Sequence, residues 1–170
     1  MHNVEIELKY KVDDLEKIEN EIKKLGAKFE KEFDGRDSYF LVPDNNDGRK
    51  YLRVREKEGR YELCFHYVPT NTKSLEWETS VDDGEMTKEI LRQIGHKDDV
   101  IVEKKRKVYK FKNSEIVLDI VKGLGSFVEI ESPSENELYE IERELGFNEK
   151  MRIDDLGYPD MIRGYLIGAK

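Results

Sequence analysis

The sequence predicts an α+β fold: antiparallel strands closed into a barrel, with helices packed outside. Three observations carry that prediction. Most segments alternate apolar and polar residues with a period of two. Short turn sequences join several neighbouring strands. The polar faces of those strands carry blocks of like charge, which suit an enclosed face better than a wet one.

The elements follow in order. Val4 to Val12 reads V-E-I-E-L-K-Y-K-V, a strict alternation that predicts a strand. Asp13 to Leu25 predicts a helix, with Asp13 as N-cap, Glu16 at the capping-box spacing and Leu15, Ile18, Ile22 and Leu25 on one face. Gly26 stands where a helix-ending glycine belongs. Phe29 to Val42 is expected to be extended with a break near Asp34-Gly35, and Pro43 to Gly48 is a loop. Lys50 to Lys57 and Arg60 to Tyr67 form a hairpin around Glu58-Gly59. Val68 to Lys73 is a second loop, and Ser74 to Val81 a strand. Asp82 to Ile94 is a helix with Met86, Ile90, Leu91 and Ile94 inside. Val100 to Phe111, Glu115 to Val121 and Ser126 to Ser132 are strands, turned at Lys112-Asn113 and at Lys122 to Gly125. Ser134 caps a helix to Leu145 with Glu137 at the capping-box position, and Pro159 opens a last short helix.

Composition narrows the function. A chain of 170 residues suits one domain, 1–170. The formal charge is −8, with no basic tail, which argues against general nucleic-acid binding. Cys64 is the single cysteine, so no internal disulfide forms and a reducing, cytoplasmic setting fits. No apolar run approaches the roughly 20 residues of a membrane span, and the start lacks a secretory signal pattern. P-loop, dinucleotide-binding, zinc-protease and nucleophile-elbow motifs are absent. Cys64 reads as a small strand residue rather than a nucleophile.

The strand faces carry the chemistry. Residues two apart share a face, so Glu5, Glu7 and Lys9 lie together, as do Arg53 with Arg55, Glu76 with Glu78, Lys104 with Arg106, and Glu129 with Glu131. Asp119 faces away from Leu118 and Ile120. Any one of these could be an ordinary wet sheet face. Pooled, the signs come in blocks, and such blocks call for external counter-charges. Hard divalent cations suit clustered carboxylates, and phosphate suits clustered Arg and Lys. Both sets in one cavity describe a metal-triphosphate site, and a barrel with a polar bore would hold them.

Read in order, the motifs resemble the CYTH family, the triphosphate tunnel metalloenzymes. V-E-I-E-L-K resembles its E-x-E-x-K signature, and Asp37 to Phe40 its D-x-Y-F. Leu52-Arg53-Val54-Arg55 looks like L-R-x-R, Glu76-x-Glu78 follows, and Lys104-x-Arg106 looks like K-x-R. Asp119 to Glu131 is close to D-x-V-x-G-L-G-x-F-x-E-x-E. The likeness spans Val4 to the last helix. It implies an antiparallel eight-stranded β tunnel and one or two Mg²⁺ or Mn²⁺ ions. The ions would be held by Glu5, Glu7, Glu78, Asp119, Glu129 and Glu131. The triphosphate would be held by Lys9, Arg53, Arg55, Lys104 and Arg106. Lys9, Tyr39 and Arg55 are the expected catalytic residues, Tyr39 as a helper orienting water or a base.

The sequence departs from that pattern at His66, where the family carries a phosphate-binding lysine. His66 shares a face with Glu62 and Cys64, so it is expected to point into the tunnel as a substrate contact or as a hydrogen-bonded barrel histidine. The nearest branch looks like class IV adenylyl cyclases, which convert ATP to cyclic AMP and pyrophosphate. A triphosphatase acting on inorganic or thiamine triphosphate, and a non-catalytic nucleotide or polyphosphate binder, are the alternatives. The expected partner is a small-molecule triphosphate, with neither nucleic acid nor membrane, and homodimerisation is left open.

Overall fold

The computed structural model describes residues 3–43, 48–69, 73–153 and 157–168, with side chains at all of these except 3–5, 165, 167 and 168. Eight strands form a closed antiparallel barrel in the order β1-β5-β4-β3-β2-β6-β7-β8. They are β1 (Asn3–Val12), β2 (Lys28–Phe40), β3 (Arg49–Lys57), β4 (Arg60–Val68), β5 (Lys73–Val81), β6 (Asp98–Phe111), β7 (Ser114–Val121) and β8 (Gly125–Ser132). Four helices lie outside: α1 (Leu15–Lys24), α2 (Gly84–Gln93), α3 (Glu135–Glu144) and α4 (Tyr158–Gly168). No helix among the described residues is long and apolar enough to cross a membrane. By its contacts the chain divides into two compact units.

One unit comprises Glu5–Phe33 and Lys104–Asp155. Its core is the even-numbered face of β1, β7 and β8, with Ile6, Leu8, Ile116, Leu118, Val128 and Ile130 buried under Ile18 and Ile22 of α1 and Leu138 and Ile141 of α3. Each such side chain removed from water stabilises the fold by about 1.5–3 kcal/mol. Strict alternation then leaves the odd-numbered residues of the same strands on the face opposite the helices. Tyr10 anchors the core. Its ring stacks on Phe147 at 4.2 Å, and its hydroxyl donates to Glu142 at 2.9 Å. Arg152 holds the same carboxylate with two bonds of 2.7 Å.

The other unit comprises Met1–Val4, Asp34–Glu103 and Leu156–Lys170. Phe40, Leu52 and Val54 are buried with Leu91 of α2, flanked by Tyr61, Leu63 and Phe65 of β4. The opposite face of β3 carries Tyr51, Arg53 and Arg55. α4 docks through Asp160 in its first turn and Arg163 in its second: Tyr51 donates its hydroxyl to Asp160, and Arg163 binds Asp99 through Nε at 3.0 Å. A Cβ at Gly157 would meet the Tyr51 hydroxyl at 3.0 Å, so glycine there allows the approach.

Several local expectations are corrected. β2 runs unbroken through Asp34-Gly35, because Gly35 stays in the ladder opposite Lys57 and sheet pairing overrides a local turn preference. The α1 cap is Asp14, not Asp13: Asp14 accepts from the Lys17 amide at 2.9 Å. Leu25, expected on the buried face of α1, is exposed.

α2 differs most. Met86, Ile90 and Ile94 were expected inside but are 57%, 53% and 67% exposed, and only Leu91 of that set is buried. The inward stripe is Gly84, Lys88 and Leu91. A Cβ at Gly84 would stand 2.2 Å from the Tyr61 ring, so this glycine sets the close approach and fixes the helix rotation.

Ser134 occupies the α3 N-cap without a side-chain cap bond. Glu137, expected in a capping box, instead accepts from the Asn113 amide at 2.9 Å and from the Ser114 hydroxyl, tying α3 to the β6–β7 turn. α4 starts at Tyr158, one residue before Pro159. A 3₁₀ turn at Glu149–Met151 was not anticipated. The loops expected at Pro43 to Gly48 and Val68 to Lys73 fall partly outside the described residues, at 44–47 and 70–72.

Candidate functional site

On the helix-averted face of β1, β6, β7 and β8, the ladder places Glu7 opposite Glu131 and Lys9 opposite Glu129. It also places Arg106 opposite Asp119. Three carboxylates, those of Glu7, Glu129 and Glu131, offer oxygens that all lie within 4.8 Å of one another. The basic residues thread between them. Lys9 Nζ sits 3.0 Å from Glu129 and 3.8 Å from Glu7. Arg106 donates through Nε to Asp119 at 2.8 Å, also bonds Glu129, and lies 3.9 Å from Glu131.

Asp119, Glu129 and Lys104 are buried, and so is most of the Arg106 side chain. Burial alone would disfavour every one of these charges. Mutual pairing decides which survive. Burial pushes the Glu7 carboxyl up despite Lys9, and the Glu129 charge adds to the rise. Burial also pushes against an ionised Glu129, but Lys9, Arg106 and Lys104 together outweigh it and hold that carboxyl below the usual range. For Lys9, burial opposes the ammonium, and Glu129 and Glu7 overcome it, so the group stays charged.

The second set lies on the helix-averted face of β2, β3, β4 and β5. Arg53 donates to Glu76 at 2.8 Å and to the Tyr39 hydroxyl at 3.1 Å. Asp37 is buried between two guanidinium groups: its carboxylate takes Arg55 Nε at 3.1 Å and lies 3.4 Å from Arg53. Arg55 also approaches Glu62 and Glu78, each at 3.9 Å. Burial works against an ionised Glu76, and Arg53, Arg55 and His66 outweigh it, so the carboxyl sits below its ordinary value. Burial pushes the Tyr39 phenol up, which keeps its proton on at neutral pH. His66 stands opposite Tyr51 and Glu76 in the ladder, and its ring centroid is 6.0 Å from that of Tyr51.

The residues singled out from the sequence divide between these two sets. Glu7, Lys9, Arg106, Asp119, Glu129 and Glu131 are brought together, with Lys104 close enough to act on Glu7 and Glu129. Tyr39, Arg53, Arg55, Glu76, Glu78 and His66 make up the second. The Glu5 side chain lies outside the described residues. Glu78 groups with Glu62 and Cys64. A cation there would face Arg55, which already supplies positive charge to both carboxylates. Burial pushes the Cys64 thiol up, so it stays a thiol.

In the sequence Asp37 stands out only as part of the Asp37 to Phe40 motif. Its place between two arginines depends on the β2–β3 register, which pairs Asp37 with Arg55 and Tyr39 with Arg53. Glu62 gave a signal only as a companion of Cys64 and His66 on one strand face.

The donor set of Glu7, Glu129 and Glu131 is all hard oxygen, which fits a hard divalent ion and not a soft one. Asp119 is committed to Arg106 at present and would join such a set only by changing partners.

The chain is similar to known proteins over most of its length. The CYTH domain model matches residues 3–158. A Methanocaldococcus jannaschii protein named "Putative adenylate cyclase MJ0240" is 32% identical over 133 residues, covering 75% of this chain and 76% of that protein. The solved structure of the PH1012 protein from Pyrococcus horikoshii aligns with a TM-score of 0.82 at 30% identity, covering 89% of this chain and 96% of that one. A Hippeastrum protein named "Putative adenylyl cyclase HpAC1", for which a dominant triphosphatase activity is described, aligns with a TM-score of 0.64. It covers 99% of this chain and 96% of its own, but at 14% identity it shares the fold alone.

Proposed function

Because the chain belongs to the CYTH domain family, we propose that it is a divalent-metal-dependent enzyme acting on a triphosphate. Adenylyl cyclase chemistry, ATP to cyclic AMP and pyrophosphate, is the first reading. The observation that carries the metal-triphosphate reading is the interleaving of carboxylates and cations on one buried face. Glu7, Glu129 and Glu131 converge within 4.8 Å, and Lys9 and Arg106 stand among them. The named M. jannaschii relative supports the cyclase choice.

In this reading Glu7, Glu129 and Glu131 hold Mg²⁺ or Mn²⁺, with Glu5, Asp119 and Glu78 as further candidates. A divalent ion bound there supplies charge neutralisation and Lewis-acid polarisation of phosphoryl oxygens. Lys9, Lys104 and Arg106 bind phosphate oxygens, and Arg53, Arg55 and His66 do the same. Lys9 and Arg55 stabilise charge that builds on the reacting phosphoryl group. Tyr39, protonated and bonded to Arg53, acts as a hydrogen-bond donor that orients rather than as a base. In the cyclase reaction the ribose 3′ hydroxyl loses its proton as its oxygen bonds to the α-phosphorus, the bond from that phosphorus to the bridging oxygen breaks, and the pyrophosphate leaves carrying the proton in the overall balance.

A second reading, hydrolysis of inorganic or thiamine triphosphate, draws on a separate observation. Tyr39 and Tyr51 are only 6% and 7% exposed and pack edge to face on one another at 6.3 Å. Packed in this way the two rings offer little face to a ligand, which within this reading favours inorganic triphosphate, the substrate with no heterocycle to stack.

One experiment tests both. ATP, thiamine triphosphate and inorganic triphosphate are incubated with Mg²⁺ or Mn²⁺ and the products identified. Cyclic AMP supports the first reading and orthophosphate the second, while tight binding without product leaves a non-catalytic binder. Calorimetry supplies the metal arm: triphosphate affinity rises with the divalent ion, and equal affinity in excess chelator refutes the metal assignment.

A further inference from the structure

Three buried polar atoms on β3 and β5 stand out, two of them at one end of these strands and one, on Arg53, at the middle of β3. Arg49 Nη1, Arg53 Nε and Ser74 Oγ are enclosed and have no hydrogen-bond partner among the described residues. Buried donors are almost always paired, so enclosed donors without a partner point to a ligand. Their placement is not scattered. Arg49, Tyr51 and Arg53 alternate along β3 and share the helix-averted face. Arg49 pairs with Val68. Ser74 follows one step beyond the Tyr67–Leu75 pair, and so stands on the other side of Val68.

Arg49 and Ser74 therefore occupy one cross-strand row, about 10 Å apart over two strand spacings. That row lies four residues, about 13 Å, along β3 from the Arg53 row. Gly48 seats it: a Cβ there would meet the Tyr67 ring at 2.7 Å and the Val68 carbonyl oxygen at 2.9 Å. The nearby acids are already engaged. Asp160 takes the Tyr51 hydroxyl and Arg163, and Glu76 takes Arg53.

We infer that Arg49 and Ser74 form a second oxyanion position, distinct from the Arg53 and Arg55 pair, that accepts a phosphoryl group. An enclosed, unpartnered guanidinium donor and an enclosed, unpartnered hydroxyl in one cross-strand row suit phosphate oxygens. The inference rests on the triphosphate reading for the role of Arg53 and Arg55. It extends that reading to a phosphate ligand longer than three units or to a triphosphate bound together with a free phosphate.

Calorimetry with inorganic triphosphate, inorganic tetraphosphate and orthophosphate, in the presence of Mg²⁺, tests it. For a longer chain, the wild type prefers tetraphosphate over triphosphate, and Arg49→Met or Ser74→Ala lowers that preference about ten-fold. For a separate ion, orthophosphate binds the triphosphate-saturated protein, and Arg49→Met removes that binding. The position is overturned if neither variant changes the tetraphosphate preference or the binding of orthophosphate. Orthophosphate that binds through Arg49 in a protein indifferent to triphosphate would sink the broader functional reading and leave this position standing. Thermal unfolding of ligand-free Ser74→Ala separates ligand from folding effects. Losing an unpartnered hydroxyl should leave the midpoint unchanged or raised, and a fall of several degrees would show that Ser74 is paired and refute its assignment.

Discussion

Replacing Glu129 with Gln probes the charged face of β1, β6, β7 and β8 at its centre. The carboxylate is buried, accepts Lys9 at 3.0 Å and also bonds Arg106. Removing one member of a buried ion pair costs about 3–5 kcal/mol, because the partner stays behind uncompensated. Here the loss is cushioned. Glu7 remains 3.8 Å from Lys9, and Asp119 keeps Arg106 at 2.8 Å. A loss of about 2–3 kcal/mol follows, which for this chain length lowers the melting midpoint by roughly 5–10 °C. Folding and metal-dependent activity should therefore both suffer.

The pH dependence carries a sign. Glu129 has a folded-state pKa held below its unfolded value by Lys9, Arg106 and Lys104 against the opposing effect of burial. Its stabilisation is fully present above the unfolded value of about 4.3 and is lost as pH falls through the folded value. Because the Glu129 charge also helps to raise the Glu7 carboxyl, the gap between wild type and Glu129→Gln in urea unfolding should be level only above the pH range in which Glu7 titrates. Below about pH 4.3 it should narrow by about 1.4 kcal/mol per pH unit. A variant as stable as wild type at pH 7, or a gap unaltered between pH 7 and 3, would refute the argument.

Three further outcomes are expected. Asp37→Asn removes a negative charge beside the two arginines proposed to bind phosphate, yet triphosphate affinity should fall about ten-fold, because the Asp37 carboxylate fixes both guanidinium groups; a rise in affinity measured by calorimetry would show that charge outweighs positioning. His66→Lys supplies a charge that an ordinary histidine lacks at pH 8, so the variant should bind triphosphate more tightly there than wild type; identical affinities for His66→Lys, His66→Ala and wild type from pH 6 to 9 would make the histidine structural. Tyr10→Phe removes one donor to Glu142 while Arg152 keeps both of its bonds, so it should cost about 1 kcal/mol in urea unfolding. Arg152→Ala leaves the carboxylate buried and should cost more, and equal losses for the two would contradict that ranking.

Much of the fold was legible because a strand's side-chain period is two and leaves a strict trace. The alternation around Ile6, Leu8, Val128 and Ile130 assigned one face to the helices, and those residues are buried under α1 and α3. The same parity placed Glu7, Lys9, Glu129 and Glu131 on the other face, where they meet. Turn chemistry marked the hairpins, since Glu58 and Gly59 both take the positive φ that such a two-residue turn requires.

What stayed hidden depended on which surface arrived opposite. The apolar stripe that the α2 sequence offers, Met86, Ile90 and Ile94, remains exposed, because the contact between Gly84 and Tyr61 turns Gly84, Lys88 and Leu91 inward. Asp34-Gly35 reads locally as a break, but pairing of Gly35 with Lys57 keeps β2 extended. Asp37 is one of many acids in the sequence and gains its role from a register that sets it beside Arg55 and within reach of Arg53. The sequence by itself determined the strands, their two faces and the residue types on each. Only the tertiary structure decided partners, because pairing between distant strands and the rotation of a docked helix depend on contacts that no local pattern contains.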